Sequence, residues 1–272
     1  MGIYYVFECA VDYCSAEFYL NDIPVVLRSQ DGGRLFGGQI NELVVDGVNE
    51  IGAVIHPGPQ PGRALTGKEG KRDRFVAKDA KVFAALSTYP PGAVVGGPDR
   101  RQLIRLDWEA DPESWPEVFP KVVSTTEDLG PCLGEWQWEN APRLILDKDT
   151  RQEIVYFLGT LHKSLADGDP EPFLEASTIR LAEVEKAYGL KPGTKAAHVR
   201  KVTLRDAAQP WWGMQPLNPE AFDLRLCAGG RLVECIGRDF QPLLKERPDE
   251  DGGVGMYDML LAKIEGQWRI VR

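Results

Sequence analysis

At 272 residues, with 43% hydrophobic and 27% charged side chains, the chain can build one large domain or two ordinary ones around proper cores, and its composition is not that of a disordered chain. The formal net charge of -9 argues against a nucleic-acid backbone as partner, which calls for a basic face, and fits a solvated surface or recognition of something basic. Five scattered cysteines (Cys9, Cys14, Cys132, Cys227 and Cys235) without a C-x-x-C spacing suit reduced thiols better than a disulfide framework.

At the N-terminus, Met1–Glu8 lacks a basic segment, and Glu8 and Asp12 interrupt its apolar run, so no export signal is expected. No stretch approaches the roughly 20 apolar residues of a membrane span. Val6 stands where a myristoylation site has Ser or Thr. The expected location is therefore cytoplasmic. Residues 3–13, rich in aromatic and β-branched side chains, read as a first strand. Ala16–Leu20 and Ile23–Leu27 then meet across Asn21-Asp22, a hairpin signal because Asn and Asp tolerate positive φ. Asp46-Gly47 repeats the device between Ile40–Val45 and Val48–Ile55. From His56 to Arg74 the chain is Pro/Gly-rich, then charged and aperiodic, a long loop of the functional kind. Strand character returns at Ala80–Tyr89, Gln102–Trp108 and Phe119–Thr126, and short strands with frequent turns predict a β-sandwich or jelly roll.

Near residue 147 the hydrophobic period changes. Asp147–Asp149 offers helix caps, and Ile154, Leu158, Leu161 and Leu165 follow on one helical face. Asp167–Pro170 stops that helix. Leu174, Ser177, Leu181, Val184 and Tyr188 make a second face, ended by Gly189 with Pro192 beyond. A third helix spans Thr194–Ala208. Two hairpins close the chain: Phe222–Cys227 with Leu232–Ile236 over Gly229-Gly230, and Tyr257–Ile264 with Trp268–Val271 over Glu265-Gly266. The pattern predicts a β-sandwich domain over 1–145 and an α+β domain over 146–272, with two or three helices packed on an antiparallel sheet. Cys227 and Cys235 flank Gly229-Gly230 and could face each other across the first of those hairpins.

Catalytic signatures are scarce. The three histidines, His56, His162 and His198, share no metal-ligand spacing, and there is no H-E-x-x-H, G-x-S-x-G, Walker loop or G-x-G-x-x-G. No metal and no cofactor is expected. Asp249–Gly253 lacks the alternating ligands of a calcium loop and reads as a hairpin tip. His162 lies beside the apolar face of the first helix, where a general base would suit neutral pH. Asp107-Trp108-Glu109 and Glu135–Glu139 set carboxylates beside tryptophans, as glycosidases do, but the second also reads as a half-buried strand with Trp136 and Trp138 on one face. Trp211-Trp212, inside Gln209–Met214, belongs to no periodic face and has the character of an interface anchor.

Two stretches resemble known folds. Tyr19–Val25, followed by Ile40–Leu43 and Asp46–Ile51, looks like the jelly-roll modules attached to glycosidases. This covers residues 1–60 and implies architecture alone. Leu165–Leu174 between two helices, with the closing Ile264–Val271, is similar to the cone-shaped α+β fold of the nuclear transport factor two-like superfamily over residues 150–272. That superfamily includes enzymes with an Asp/His or Asp/Tyr pair and members that are scaffolds, and no such pair is identifiable here.

The reading that follows is a non-catalytic protein-binding protein. Its concrete form is the immunity protein of a bacterial toxin system, which blocks a toxin or effector sterically while acidic residues complement a basic partner surface. The expected binding residues are Trp211, Trp212, Met214, His162 and, in the 56–74 loop, Arg63; neither nucleic acid nor membrane is expected as a partner. The alternative is an enzyme, or a carbohydrate or small-ligand binder, with a pocket in either domain and His162 or Asp107/Glu109 facing inward. A third reading is a structural subunit with large apolar patches.

Overall fold

The structure, a computed structural model, describes residues 2–26, 37–56, 79–111, 113, 119–238 and 240–272. The chain divides into two compact units, Met1–Glu135 and Trp136–Arg272. It is built largely of antiparallel sheet, with four helices among the described residues. None of these helices is long and apolar enough to cross a membrane.

The first unit holds seven strands: β1 (Tyr4–Asp12), β2 (Ser15–Leu20), β3 (Ile23–Val26), β4 (Val48–His56), β5 (Lys81–Tyr89), β6 (Arg101–Glu109) and β7 (Lys121–Asp128). They form a three-stranded sheet in the order β1-β5-β6 and a four-stranded sheet in the order β3-β2-β4-β7. Phe7 of β1 and Phe18 of β2, both fully buried, meet edge-to-face with ring centroids 6.3 Å apart and join the two sheets. The β2–β3 turn is the expected one, with Asn21 and Asp22 at φ 55° and 59°, the conformation that two-residue hairpins require.

The Asp46-Gly47 turn is different. Residues Asn41–Leu43 form a 3-10 turn and not a strand. The cause lies in two asparagines that take backbone groups a ladder would have used. Asn41 Oδ1 accepts from Tyr5 N and its amide donates to Ile3 O, while Asn49 Oδ1 accepts from Val45 N and its amide donates to Val45 O. Asp46 gathers three successive backbone N–H groups, those of Cys132, Leu133 and Gly134, at 2.7, 3.0 and 2.9 Å. This carboxylate staples the end of the first unit to its own turn.

In the second unit, α1 (Lys148–Ala166) begins where Asp147 accepts a hydrogen bond from Thr150 N. Ile154, Leu158, Leu161 and Leu165 are its buried face, as their spacing predicts. Each contributes roughly 1.5–3 kcal/mol by leaving water. The break at Ser177 divides the second predicted helix into α2 (Glu171–Ala176) and α3 (Thr178–Tyr188). The buried side of α3 also differs: Glu183, Glu185 and Ala187 lie inside, while Leu181 and Val184 are half-buried. Both carboxylates are buried because both are fully engaged. Glu183 accepts from Arg272 Nη1 and Gln137 N, and Glu185 accepts from Gly193 N and Lys195 N at the start of α4 (Thr194–Ala207).

The chain then forms β8 (Phe222–Cys227), β9 (Leu232–Gly237), β12 (Leu260–Ile264) and β13 (Gln267–Ile270), a sheet in the order β13-β12-β9-β8, with a small ribbon of β10 (Leu244–Lys245) and β11 (Met256–Tyr257). The α1 face, Phe173 of α2, Leu224, Val233, Leu261 and Ile270 make one core with Met214. Cys227 pairs with Leu232 and Cys235 with Leu224, so the two thiols are not opposite each other, and none of the five cysteines forms a disulfide.

Candidate functional site

Of the residues expected to bind a partner, Trp211, Trp212, Met214 and His162 converge in the second unit at the segment after α4. Residues 213–215 run antiparallel to 245–247: Gln215 N donates to Lys245 O and Arg247 N to Gly213 O, both at 2.8 Å, around a Met214–Glu246 bridge. The Gln215 side chain adds a bond to Glu246 O at 2.8 Å. From the other side, His162 Nε2 of α1 donates to Gln215 O at 2.7 Å. Trp212 Nε1 donates to Leu165 O at 3.1 Å, sharing a carbonyl at the end of α1 with Gly168 N. The segment is therefore pinned to α1 and to the β10 strand at once.

Within it the two tryptophans have separate roles. Trp212 is a clamp, its N–H spent on α1. Trp211 lies beside it, ring centroids 6.4 Å apart and planes tilted by 53°, and both are half-buried. Met214 belongs to the core, at 5% exposure; it holds the segment from behind and offers a partner nothing. His162 is half-buried and committed to the Gln215 carbonyl, which makes it a brace. Arg63 lies outside the described residues. Gly213 has φ 157°, and the Arg247 guanidinium lies 3.2–3.3 Å from where a Cβ would stand, so a larger residue there would push the arginine away. Beneath, Tyr257 donates to Glu246 Oε1 at 2.6 Å and packs edge-to-face on Phe173. Burial, then that carboxylate, push its phenol well above the usual range.

The glycosidase-like pairs do not assemble. Arg105 holds Asp107 by two bonds and lowers its carboxyl below the usual range, and Lys81 Nζ lies 2.9 Å from Glu109. All four side chains are more than half exposed. Residues 135–139 form no strand. Trp136 and Trp138 are both buried beside a 3-10 turn (Gln137–Asn140), because Glu139 reaches back 2.6 Å to accept from Trp136 N. Among the described residues no three His, Cys, Asp or Glu side chains converge as metal ligands.

One constellation in the first unit carries no sequence motif. His56 Nε2 lies 3.1 Å from Glu17 Oε1, and Tyr19 donates to Glu17 Oε2 at 2.6 Å. Ser15 sits directly across the β2–β4 ladder from His56. Ser15 Oγ and His56 Nδ1 have no hydrogen-bond partner among the described residues. A carboxylate-oriented imidazole beside a serine is the layout of a nucleophilic site. Here, however, Ser15, Glu17 and His56 are 0%, 4% and 4% exposed. The signal available in the sequence was the alternation Ser15-x-Glu17-x-Tyr19, which puts three polar groups on one face of a strand. His56, 37 positions beyond Tyr19, joins them only through the register. No protein-family model, curated protein or solved structure matches the chain.

Proposed function

We propose that this chain is a protein-binding protein whose anchor is Trp211, and that it acts by covering the surface of a partner. The single observation that carries this reading is the fixing of a half-exposed tryptophan on a segment hydrogen-bonded to α1 and to β10. An aromatic side chain that is already immobile gives up little conformational freedom on binding, and such residues dominate interface energetics. The immunity protein of a toxin system is the concrete form of the proposal. The finer architecture belongs to it as well: a jelly-roll-like sandwich for the first unit, supported by two sheets meeting at Phe7 and Phe18, and a cone-like second unit, supported by helices sharing one core with a curtain of antiparallel strands.

The test is capture by the tagged full-length chain from native lysate, run side by side with Trp211→Ala. A stoichiometric protein retained by the parent chain and lost by the variant supports the reading. A protein captured equally by both places the interface elsewhere and removes Trp211 from it.

The unpartnered Ser15–His56 pair favours a second reading, an enzyme in the first unit. It predicts a hydrolytic activity toward activated esters that Ser15→Ala abolishes with unchanged unfolding. Equal turnover by parent and variant discards it.

A further inference from the structure

The charges beside the Trp211 anchor have the opposite sign to the chain as a whole. Helix α4 carries Lys195, Arg200, Lys201 and Arg205, of which Arg200 pairs with Glu171 and Arg205 with Asp206, so that Lys195 and Lys201 are its excess charge, in a protein of net charge -9. Its outward side is Ala197, His198, Lys201, Leu204 and Arg205, continued by Ala208 just past its end, spaced by three and four residues as one stripe. Leu204 is 51% exposed at its centre. The helix leads directly into the anchor: Gln209 N donates to Asp206 O, the Gln209 side chain to Arg205 O, and Trp212 N to Gln209 O. Arg247, exposed and packed on Gly213, adds a cation on the other side. Neither Lys201 nor Arg247 has an ion-pair partner among the described residues.

Helix α4 is also poorly covered. Thr203 is its one buried residue, against four on α1, and helices in proteins owe most of their stability to a packed face. Lys201 and the Asp206-paired Arg205 beside an exposed leucine, on a helix that leads to Trp211, make a surface suited to contact.

We propose that α4 and Trp211 together dock a protein partner through an acidic surface, carboxylates around an apolar centre. This rests on the protein-binding reading above and specifies its chemistry. It reverses the sign expected from net charge, because the acidic excess lies elsewhere on the chain. An acidic group two residues beyond Arg247, the Asp249–Asp251 tip, is bent on itself, with Asp249 Oδ1 accepting from Asp251 N and Gly253 N. Glu250 and Asp251 remain exposed there and supply the built-in control. The exposed Leu204 beside the indole calls for an apolar centre in the partner, which a protein surface offers and a phosphate backbone does not.

The experiment uses the full-length chain and three fluorescein-labelled peptides sharing a Leu-Trp-Leu centre with glutamate, lysine or serine flanks, read by anisotropy at low and high salt. Tighter binding of the glutamate peptide by about tenfold, lost in high salt and in Lys201→Glu/Arg205→Glu, is the expected result. These two side chains are exposed, so the variant folds; circular dichroism checks it. Trp211→Ala separates the two claims. If it weakens all three peptides while the flanks make no difference, the anchor stands and the acidic-partner proposal falls. If the lysine peptide binds best and Glu250→Lys/Asp251→Lys abolishes this, the partner is basic and the proposal is overturned. Competition by single-stranded DNA stronger than by the glutamate peptide overturns the choice of partner class. Indifference to both the flanks and Trp211→Ala, including failure of every peptide to bind, removes both claims.

Discussion

The second unit contains two tryptophan pairs that look alike in sequence and have opposite fates. Trp136 and Trp138 are buried, and the faces they offer are already filled by the chain's own cations. Lys186 lies 4.6 Å and Arg272 5.2 Å from the Trp136 ring centre, and Arg272 lies 6.0 Å from that of Trp138. Arg272 is in turn paired with Glu183, itself bonded to Gln137 N. Trp211 and Trp212 hold no such internal cation among the described residues, where only Trp212 spends its N–H. The difference teaches that an aromatic pair becomes a surface when the fold leaves its faces unoccupied, whatever its neighbours in sequence.

Breaking the internal pair should cost most. Glu183→Ala leaves the Arg272 guanidinium buried without its carboxylate, and a loss of about 3–5 kcal/mol is expected in urea unfolding. Trp136→Ala removes a fully buried indole and both cation contacts, with a loss of the same order, about 3–5 kcal/mol. In the other pair, Trp212→Phe keeps a ring but gives up the bond to Leu165 O, a loss of about 1 kcal/mol. Trp211→Ala should move stability by no more than about 0.5 kcal/mol while partner binding falls at least about tenfold, as expected of an anchor. A large stability loss in Trp211→Ala would collapse the distinction between the pairs.

The smallest effect concerns the platform to which Trp212 is clamped. The Thr150 backbone N–H holds the Asp147 carboxyl below the usual range, so the folded state binds that proton less readily than the unfolded one. Its contribution is present above the unfolded value of about 4 and fades as pH falls through the lower folded value. Thermal midpoints should therefore drop on acidification from about pH 5 downward. Asp147→Asn, which still caps α1, should show a shallower drop.

What the sequence discloses depends on whether a feature is local. The α1 face, the Asn21-Asp22 and Gly229-Gly230 turns and the α4 span follow from spacing and backbone preference, and all are present. The clustering of His162, Trp212 and Met214 was legible only as types of residue. Their division into brace, clamp and core is set by Leu165, Gln215 and Lys245, dozens of positions away in either direction. Where polar side chains compete for backbone groups, periodicity misleads: Asn41 and Asn49 turn a predicted strand into a 3-10 turn, and Glu139 does the same to the Trp136–Trp138 stretch. The buried carboxylates of α3 were hidden for another reason. A glutamate is read as exposed unless its partner is known, and here one partner is Arg272.

The Asp46 staple bears on how such a chain can be recombined. All three of its donors lie before Glu135, and the Glu139 hook on Trp136 lies wholly after it. A crossover between residues 135 and 136 would sever neither, whereas one a few residues upstream would strip the carboxylate of its donors. The joint is finished separately on each side, so a genetic cut there leaves the terminal turn of each unit intact.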